Sequence, residues 1–128
     1  MNENNIYSKA YDFLKKCGSF FVLTVNGDYP AGRPFGALMK AGDALYLATN
    51  DMNQAHKQMR EHGQIQIVAK KSDTREWIRI TGIAEECDDK ELRQKMLDES
   101  PFLQKRFGAI GADHFIMFKV NIESIEIK

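Results

Sequence analysis

Residues 20–28 read Phe-Phe-Val-Leu-Thr-Val-Asn-Gly-Asp, and this stretch indicates the type of fold. Aromatic and β-branched residues dominate residues 20–25, which is typical of a β-strand. The Asn26-Gly27 pair that follows favours a tight hairpin turn, because both residues tolerate positive φ. The stretch therefore predicts a β-hairpin whose second strand runs over residues 31–40.

Four more strands follow this hairpin, separated by polar or glycine-containing segments. They are predicted at residues 44–49, 64–70, 76–86 and 114–127. In the second of these, glutamines alternate with isoleucines over residues 64–67, which is typical of a strand with one buried face. Six strands joined mainly as hairpins predict a mainly β fold, a six-stranded antiparallel sheet that closes or nearly closes into a barrel.

Short helices are predicted before the first strand and between some of the others. The first is amphipathic, with apolar residues at helical spacing from Ile6 to Cys17. The other three have capping residues at their predicted ends: Asn50-Asp51 and Gly63 for residues 52–62, Asp88 with Glu91 for the next helix, and Ser100-Pro101 for the last.

Composition limits the classes of protein to which the chain can belong. Its 128 residues suit one domain, residues 1–128. Lys plus Arg equals Asp plus Glu, 18 each, which argues against a nucleic-acid binder. No apolar run reaches the ~20 residues of a membrane span, and the amino terminus lacks a secretion signal. We therefore expect a cytoplasmic protein that keeps Cys17 and Cys87 as reduced thiols.

The first strand is apolar on both of its faces. Phe20 and Val22 share one face, whereas Phe21, Leu23 and Val25 share the other. A sheet that buries only one side would alternate more regularly between apolar and polar residues. A second copy of the chain is the simplest cover for the outer face, so we expect a homodimer.

Arg33 is the most specific candidate for binding an anion. It precedes Pro34 in an apolar strand, where a guanidinium needs a partner, and Arg can bind a phosphate through two parallel hydrogen bonds. Pro34 has no N–H to donate, so the strand is irregular or at an edge here, with Phe35 and Gly36 beside it. The alternative is that a nearby carboxylate pairs with Arg33.

The start of the predicted helix at residues 52–62 is a second candidate. Unpaired N–H groups and a partial positive charge favour an anion at a helix start. Thr49 and Asn50 lead into this helix, and Gln54 and Lys57 lie in its first turns. The alternative is a capped surface helix on which Lys57 is only solvated.

Trp77 and Arg79 share the face of a strand opposite to Ile78 and Ile80. An indole beside a guanidinium suits contact with a flat ring and pairing with an anion. Trp and Arg are also enriched at protein interfaces, so Trp77 could instead anchor a dimer.

Taken together, three motifs of this chain resemble the pyridoxamine 5′-phosphate oxidase-like family, the FMN-binding split β-barrels. The motifs are Arg33-Pro34-Phe35-Gly36, Leu-Tyr-Leu-Ala-Thr-Asn at 45–50 and Glu-Trp-Ile-Arg-Ile-Thr-Gly at 76–82. The likeness covers nearly the whole chain and is greatest to the general-stress and nitroimidazole-resistance branches. Members of the family are homodimers that bind FMN in two symmetry-related clefts at the subunit interface.

The resemblance implies a role for each candidate residue. Arg33 and Lys57 would bind the phosphate of FMN. Pro34, Phe35 and Gly36 would lie along the isoalloxazine ring. Thr49 and Asn50 would hydrogen-bond the cofactor, Gln54 would lie near it, and Trp77 and Arg79 would reach it from the partner chain.

We therefore expect an FMN-dependent oxidoreductase that acts on a small, unidentified substrate or electron donor. One alternative is a non-catalytic module that holds a flavin, haem or a signalling ligand in the same cleft. Another is a structural dimer with an empty cleft. The three histidines match no metal-ligand spacing, so no metal site is predicted. No side chain stands out as a catalytic acid or base.

Overall fold

Seven strands and four α-helices make up the fold over residues 3–128, the part of the chain that this computed structural model describes. Residues 1 and 2 of the predicted domain lie outside that range. In chain order the elements are α1 (Glu3–Cys17), β1 (Phe20–Asn26), β2 (Tyr29–Phe35), β3 (Leu38–Ala41), β4 (Ala44–Asn50), α2 (Gln54–His62), β5 (Gln64–Lys70), β6 (Trp77–Cys87), α3 (Lys90–Glu99), α4 (Pro101–Ile110) and β7 (Phe115–Ile127). None of these four helices is long and apolar enough to cross a membrane.

The strands form one antiparallel sheet whose two edge strands are neighbours in sequence. The order is β2-β1-β5-β6-β7-β4-β3, so β2 and β3 lie at opposite edges. A flat sheet of this size would separate its edges by roughly 29 Å. Only Gly36 and Ala37 connect the two strands, and such a link spans at most about 11 Å. The sheet must therefore curl until its edges approach, which gives a barrel that is split between β2 and β3.

The mainly β, antiparallel prediction is confirmed, but the predicted number of strands is wrong. The sequence predicts six strands, including one continuous strand over residues 31–40. In the structure this segment is broken at Gly36 and Ala37 into β2 and β3, which pair with different neighbours. Of the two possibilities predicted at Pro34, an irregular strand or a sheet edge, the structure has the edge: β2 pairs regularly with β1 there, and the break comes two residues later.

Two apolar clusters lie on opposite faces of the sheet. The barrel interior holds Phe20, Ile67, Ile80 and Phe118, and α1 and α2 add apolar residues to it. The second cluster lies outside the barrel, where α3 and α4 cover β3, β4 and the start of β7 through Met39, Tyr46, Met96, Phe107 and Met117. All seven residues of β4 are buried because this strand lies between both clusters.

The outer face of β1 is different, because the described part of the protomer leaves it partly uncovered. The side chain of Phe21 is 53% exposed, and Leu23 and Val25 on the same face are half-buried. Within the described protomer both faces of β4 are covered, whereas the outer face of β1 is not. For β1 a covering second copy stays a prediction.

The predicted helix ends are correct at two caps and shifted at two others. Gly63 ends α2 with a φ of 75°, and Ser100 caps α4 by accepting from the Leu103 N–H. The predicted cap Asn50-Asp51 is wrong, since Asn53 caps α2 by accepting from the His56 N–H. The predicted Asp88 cap is wrong by one residue, because Asp89 accepts from the Leu92 N–H.

Gly82 lies at the irregularity of the β6–β7 pairing, where the register shifts. A Cβ at this position would lie 2.5 Å from the backbone oxygen of Asn121. We expect Gly82→Ala to lower the free energy of unfolding by about 1–3 kcal/mol, because backbone must shift to accommodate the methyl group. Urea unfolding followed by circular dichroism measures this change.

Gly108→Ala is the matched control, because a Cβ at that position in α4 meets nothing within 4 Å. Its stability should be unchanged or slightly higher, since Ala is the better helix former. Equal stabilities of the two variants would contradict the close approach at Gly82.

Candidate functional site

A cleft of about 210 Å³ opens where the two edges of the sheet approach each other. The end of β2, the two-residue link, the end of β4 and α4 form its walls. Six of the ten predicted site residues line it: Arg33, Pro34, Phe35, Gly36, Thr49 and Asn50. The split in the barrel therefore brings together two motifs that residues 37–44 separate in the sequence.

Arg33 projects from the core-facing side of β2 toward β1 and α2. It pairs with Val22 across the two strands. Its Nη1 donates to Thr24 Oγ1 at 2.7 Å and to the Val22 carbonyl oxygen at 3.3 Å. Its Nη2 donates to Gln58 Oε1 at 2.7 Å. The guanidinium, which edge strand β2 carries, is thus held by hydrogen bonds to the neighbouring strand β1 and to helix α2.

All three acceptors around Arg33 are electrically neutral. None of the ion pairs found among the described residues includes Arg33. The sequence-based alternative, an Arg33 paired with a carboxylate, therefore has no support in this protomer. Partial burial lowers the pKa of Arg33 below its usual value, but an Arg side chain remains charged in proteins. The cleft consequently contains an uncompensated positive charge.

The end of β4 and the loop that leads to α2 carry hydroxyl and amide groups into the cleft. Asn53 Nδ2 donates to Thr49 Oγ1 at 2.7 Å, while Asn50 Oδ1 accepts from the Met52 N–H at 2.9 Å. The loop is also tied to the residue that precedes β7. The ring Nδ1 of His114 lies 2.7 Å from a carboxylate oxygen of Asp51, and the Asp51 N–H donates to the His114 carbonyl oxygen.

Helix α4 lines the cleft with four residues that the sequence analysis missed, and two of them, Leu103 and Phe107, are buried. The other two are Phe102 and Arg106. They lie four residues apart, so they share one helix face. Phe102 is 62% exposed, and Arg106 is exposed as well. Their spacing after Ser100-Pro101 was visible in the sequence, but no local pattern indicated that α4 would pack beside β4.

Among the described residues that line the cleft, the charged ones are Arg33 and Arg106, and none is an Asp or a Glu. The lining therefore has a positive charge, with Thr49, Asn50 and Asn53 as neutral polar groups. Phe35 offers little ring surface to a ligand, because its ring packs against that of Phe20 in the barrel interior, with 6.4 Å between the ring centres. Such a lining suits a ligand that has an anionic group and a second part that can contact apolar side chains.

Four predicted site residues do not line this cleft. Gln54 and Lys57 lie on the exposed side of α2. Trp77 and Arg79 lie together on β6, as the sequence predicts, with the guanidinium carbon 5.0 Å from the ring centre. Arg79 also pairs with Glu126 at 2.8 Å. A role for Trp77 and Arg79 in a partner's cleft, and for Gln54 and Lys57 near the phosphate, stays a prediction.

A family model described as pyridoxamine 5′-phosphate oxidase matches residues 8–127. The chain belongs to this family. The resemblance predicted from the three sequence motifs is therefore confirmed, and the sheet described above is the split barrel of the pyridoxamine 5′-phosphate oxidase family. A comparison with curated protein sequences gives no match.

Solved structures of several other proteins have a similar fold. A NimC/NimA family protein of Clostridium acetobutylicum is 30% identical, with a TM-score of 0.83 over 91% of this chain and 86% of its own. HutZ of Vibrio cholerae, the haem storage protein, is 11% identical, with a TM-score of 0.74 over 94% and 93%. A FAD-binding protein of Mesorhizobium loti is 16% identical, with a TM-score of 0.66 over 92% of each chain. The last two likenesses show the fold alone.

In this member of the pyridoxamine 5′-phosphate oxidase family, Asn53 both caps α2 and bonds Thr49. We expect Asn53→Ala to lower the free energy of unfolding by about 1–2 kcal/mol, because the cap and the Thr49 contact are lost together. Asn53→Asp is the control: its carboxylate keeps the cap, and the Thr49 hydroxyl can donate to it. Thermal and urea unfolding compare the variants, and an Asn53→Ala protein as stable as Asn53→Asp would refute this role.

Proposed function

We propose that this protein is an FMN-dependent oxidoreductase that acts on a small substrate. The observation that carries the proposal is the half-buried guanidinium of Arg33, whose hydrogen-bond partners are neutral. It lines a cleft whose described lining residues include no carboxylate. A phosphate dianion is the ligand that such a group favours, because it offers oxygens to parallel N–H donors and compensates the charge.

The remaining lining suits the rest of a flavin mononucleotide. Thr49, Asn50 and Asn53 offer hydroxyl and amide groups to the polar parts of the cofactor. Pro34, Gly36 and Phe102 are exposed and line the cleft, so backbone and an aromatic ring are accessible to a flat ring system. Bound flavin would supply the redox chemistry, and these residues would bind and orient it.

In this proposal a second copy of the chain completes the site. The cleft of one protomer, about 210 Å³, is smaller than the ~300–1,000 Å³ that is usual for ligand sites. Exposed apolar side chains are available for association, with Phe21 53% and Phe102 62% exposed. A homodimer would also give Trp77 and Arg79 a cofactor to contact, as the family resemblance implies.

A non-catalytic flavin- or haem-binding module is the second candidate, favoured by the structural likeness to HutZ and to the FAD-binding protein. Haem iron is commonly held by an axial His. None of the three histidines lines the cleft, and each has a carboxylate within 4.0 Å: His56 has Glu86, His114 has Asp51 and His62 has Glu61. The lining therefore favours a flavin over haem within this candidate.

The proposal predicts that the purified protein binds FMN at micromolar concentration or more tightly. Arg33→Ala should weaken FMN binding about 10- to 100-fold, because a hydrogen-bonded charged contact contributes roughly 1.5–3 kcal/mol. Arg75→Ala is the control, since Arg75 is exposed and lies outside the cleft. Fluorescence titration of FMN measures both. Wild-type protein that stays colourless and does not bind added FMN would contradict the proposal.

Turnover separates the two candidates once FMN binding is established. The loaded protein is mixed with a reduced nicotinamide and with quinones, nitroaromatic compounds or oxygen. Oxidation of the nicotinamide that depends on one of these acceptors supports an oxidoreductase. Bound FMN without turnover against any of them favours the non-catalytic module.

The proposed dimer predicts a sedimentation mass of twice 14.7 kDa. Phe21→Lys should shift the population toward monomer, because it places a charge on the exposed apolar face of β1. Lys16→Glu, a charge change near the end of α1, serves as a control for charge alone. A wild-type protein that is monomeric at 100 μM with FMN present would exclude the dimeric site.

A further inference from the structure

Two polar side chains are buried at the edge of the barrel interior, and both contact Arg33. Thr24 on β1 is 3% exposed, and Gln58 on α2 is 6% exposed. Their neighbours along the same elements, Val22 and Met59, belong to the apolar cluster of the barrel. Polar groups in such surroundings are unfavourable unless they are hydrogen-bonded, so their presence needs a physical reason.

The two side chains bond each other as well as the guanidinium. The Thr24 hydroxyl donates to Gln58 Oε1 and accepts from Arg33 Nη1. Gln58 Oε1 also accepts from Arg33 Nη2. Because a guanidinium can only donate, the amide atom that faces it must be the oxygen. Hydroxyl, amide and guanidinium therefore form a closed network in which every member is neutral except Arg33.

We propose that Thr24 and Gln58 are positioning residues that give the cleft its preference for a phosphate-bearing ligand. This inference rests on the proposed function, in which Arg33 binds the phosphate of FMN. Thr24 and Gln58 hold the guanidinium in place without cancelling its charge. They act on the ligand through Arg33 and need not touch it.

The count of donors on Arg33 explains how it can serve both the network and a ligand. A guanidinium has five N–H donors. Among the described residues, Nη1 makes two hydrogen bonds, Nη2 makes one and Nε makes none. The Thr24 and Gln58 oxygens occupy the edge formed by Nη1 and Nη2. One N–H of Nη2 and the N–H of Nε remain, and they lie on a common edge that can take two oxygens of one phosphate.

The neutrality of position 58 is the decisive property. A glutamate there would have the same size and could accept the same hydrogen bond from Nη2. Its carboxylate would, however, form a buried ion pair with Arg33 and offset the charge that attracts the phosphate. Gln58→Glu therefore changes the charge of the network and keeps its hydrogen-bond geometry.

The test is the preference of the protein for FMN over riboflavin, which differ only by the phosphate. For wild-type protein and each variant, the two dissociation constants are measured by flavin fluorescence titration. We expect Gln58→Glu to reduce the FMN preference at least 10-fold while riboflavin affinity changes little. A purely structural role for Gln58 would weaken the binding of both flavins and leave their ratio unchanged.

Gln66→Glu is the matched control, because Gln66 also bonds a threonine hydroxyl, that of Thr81 at 3.1 Å, outside the cleft. Its FMN preference should equal that of the wild type. Thr24→Val should reduce the preference for FMN over riboflavin, whereas Thr24→Ser should keep it, since Ser has the hydroxyl. In an Arg33→Ala background, Gln58→Glu should have no further effect on the ratio, because the two residues act as one unit.

The possible outcomes distinguish this inference from the proposed function. Wild-type protein that binds FMN and prefers it, with the same preference in Gln58→Glu, overturns the inference and leaves the proposed function intact. Wild-type protein that does not bind FMN overturns both. If Gln58→Glu is too unstable to purify, the pair Thr24→Val and Thr24→Ser decides: equal preference in these two variants overturns the inference.

Discussion

The two-residue link at Gly36 and Ala37 is the constraint on which the other features depend. It joins strands that lie at opposite edges of a seven-stranded sheet, so the sheet has to curl into a barrel. The barrel stays split there because β2 pairs with β1 and β3 pairs with β4, not with each other. The cleft lies at that split, with Arg33 on one side and Thr49 on the other. Closure of the fold and assembly of the site thus have one structural cause.

The position of Arg33 follows from the same edge. Arg33 lies on the core-facing side of the edge strand, and its guanidinium reaches Thr24 on the paired strand β1 and Gln58 on α2. Neutral acceptors satisfy its N–H groups and leave its charge in place. A buried carboxylate would compensate the charge of Arg33 and so remove its attraction for an anion. Arg33 is therefore a positioned cation without a charged partner in the protomer, and the phosphate of FMN is the anion that we propose for it.

Local patterns in the sequence predicted most of the secondary structure because local physics determines it. The hairpin at Asn26-Gly27 and the cap at Gly63 depend only on backbone conformations that these residues favour. The break at Gly36 was missed because it depends on which strands pair at the two edges, which is not a local property. Phe102 and Arg106 were missed for a similar reason, since the placement of α4 depends on packing against β4. Sequence motifs did predict six of the residues that line the cleft.

The most direct measurement of the central claim is a crystal structure of the protein with FMN bound. Our account predicts the phosphate at the split between β2 and β3, with two of its oxygens about 2.7–3.0 Å from Nε and Nη2 of Arg33. It also predicts that Thr24 and Gln58 keep their contacts with Nη1 and Nη2. A phosphate bound elsewhere, with the Nε edge of Arg33 turned away from it, would contradict the account.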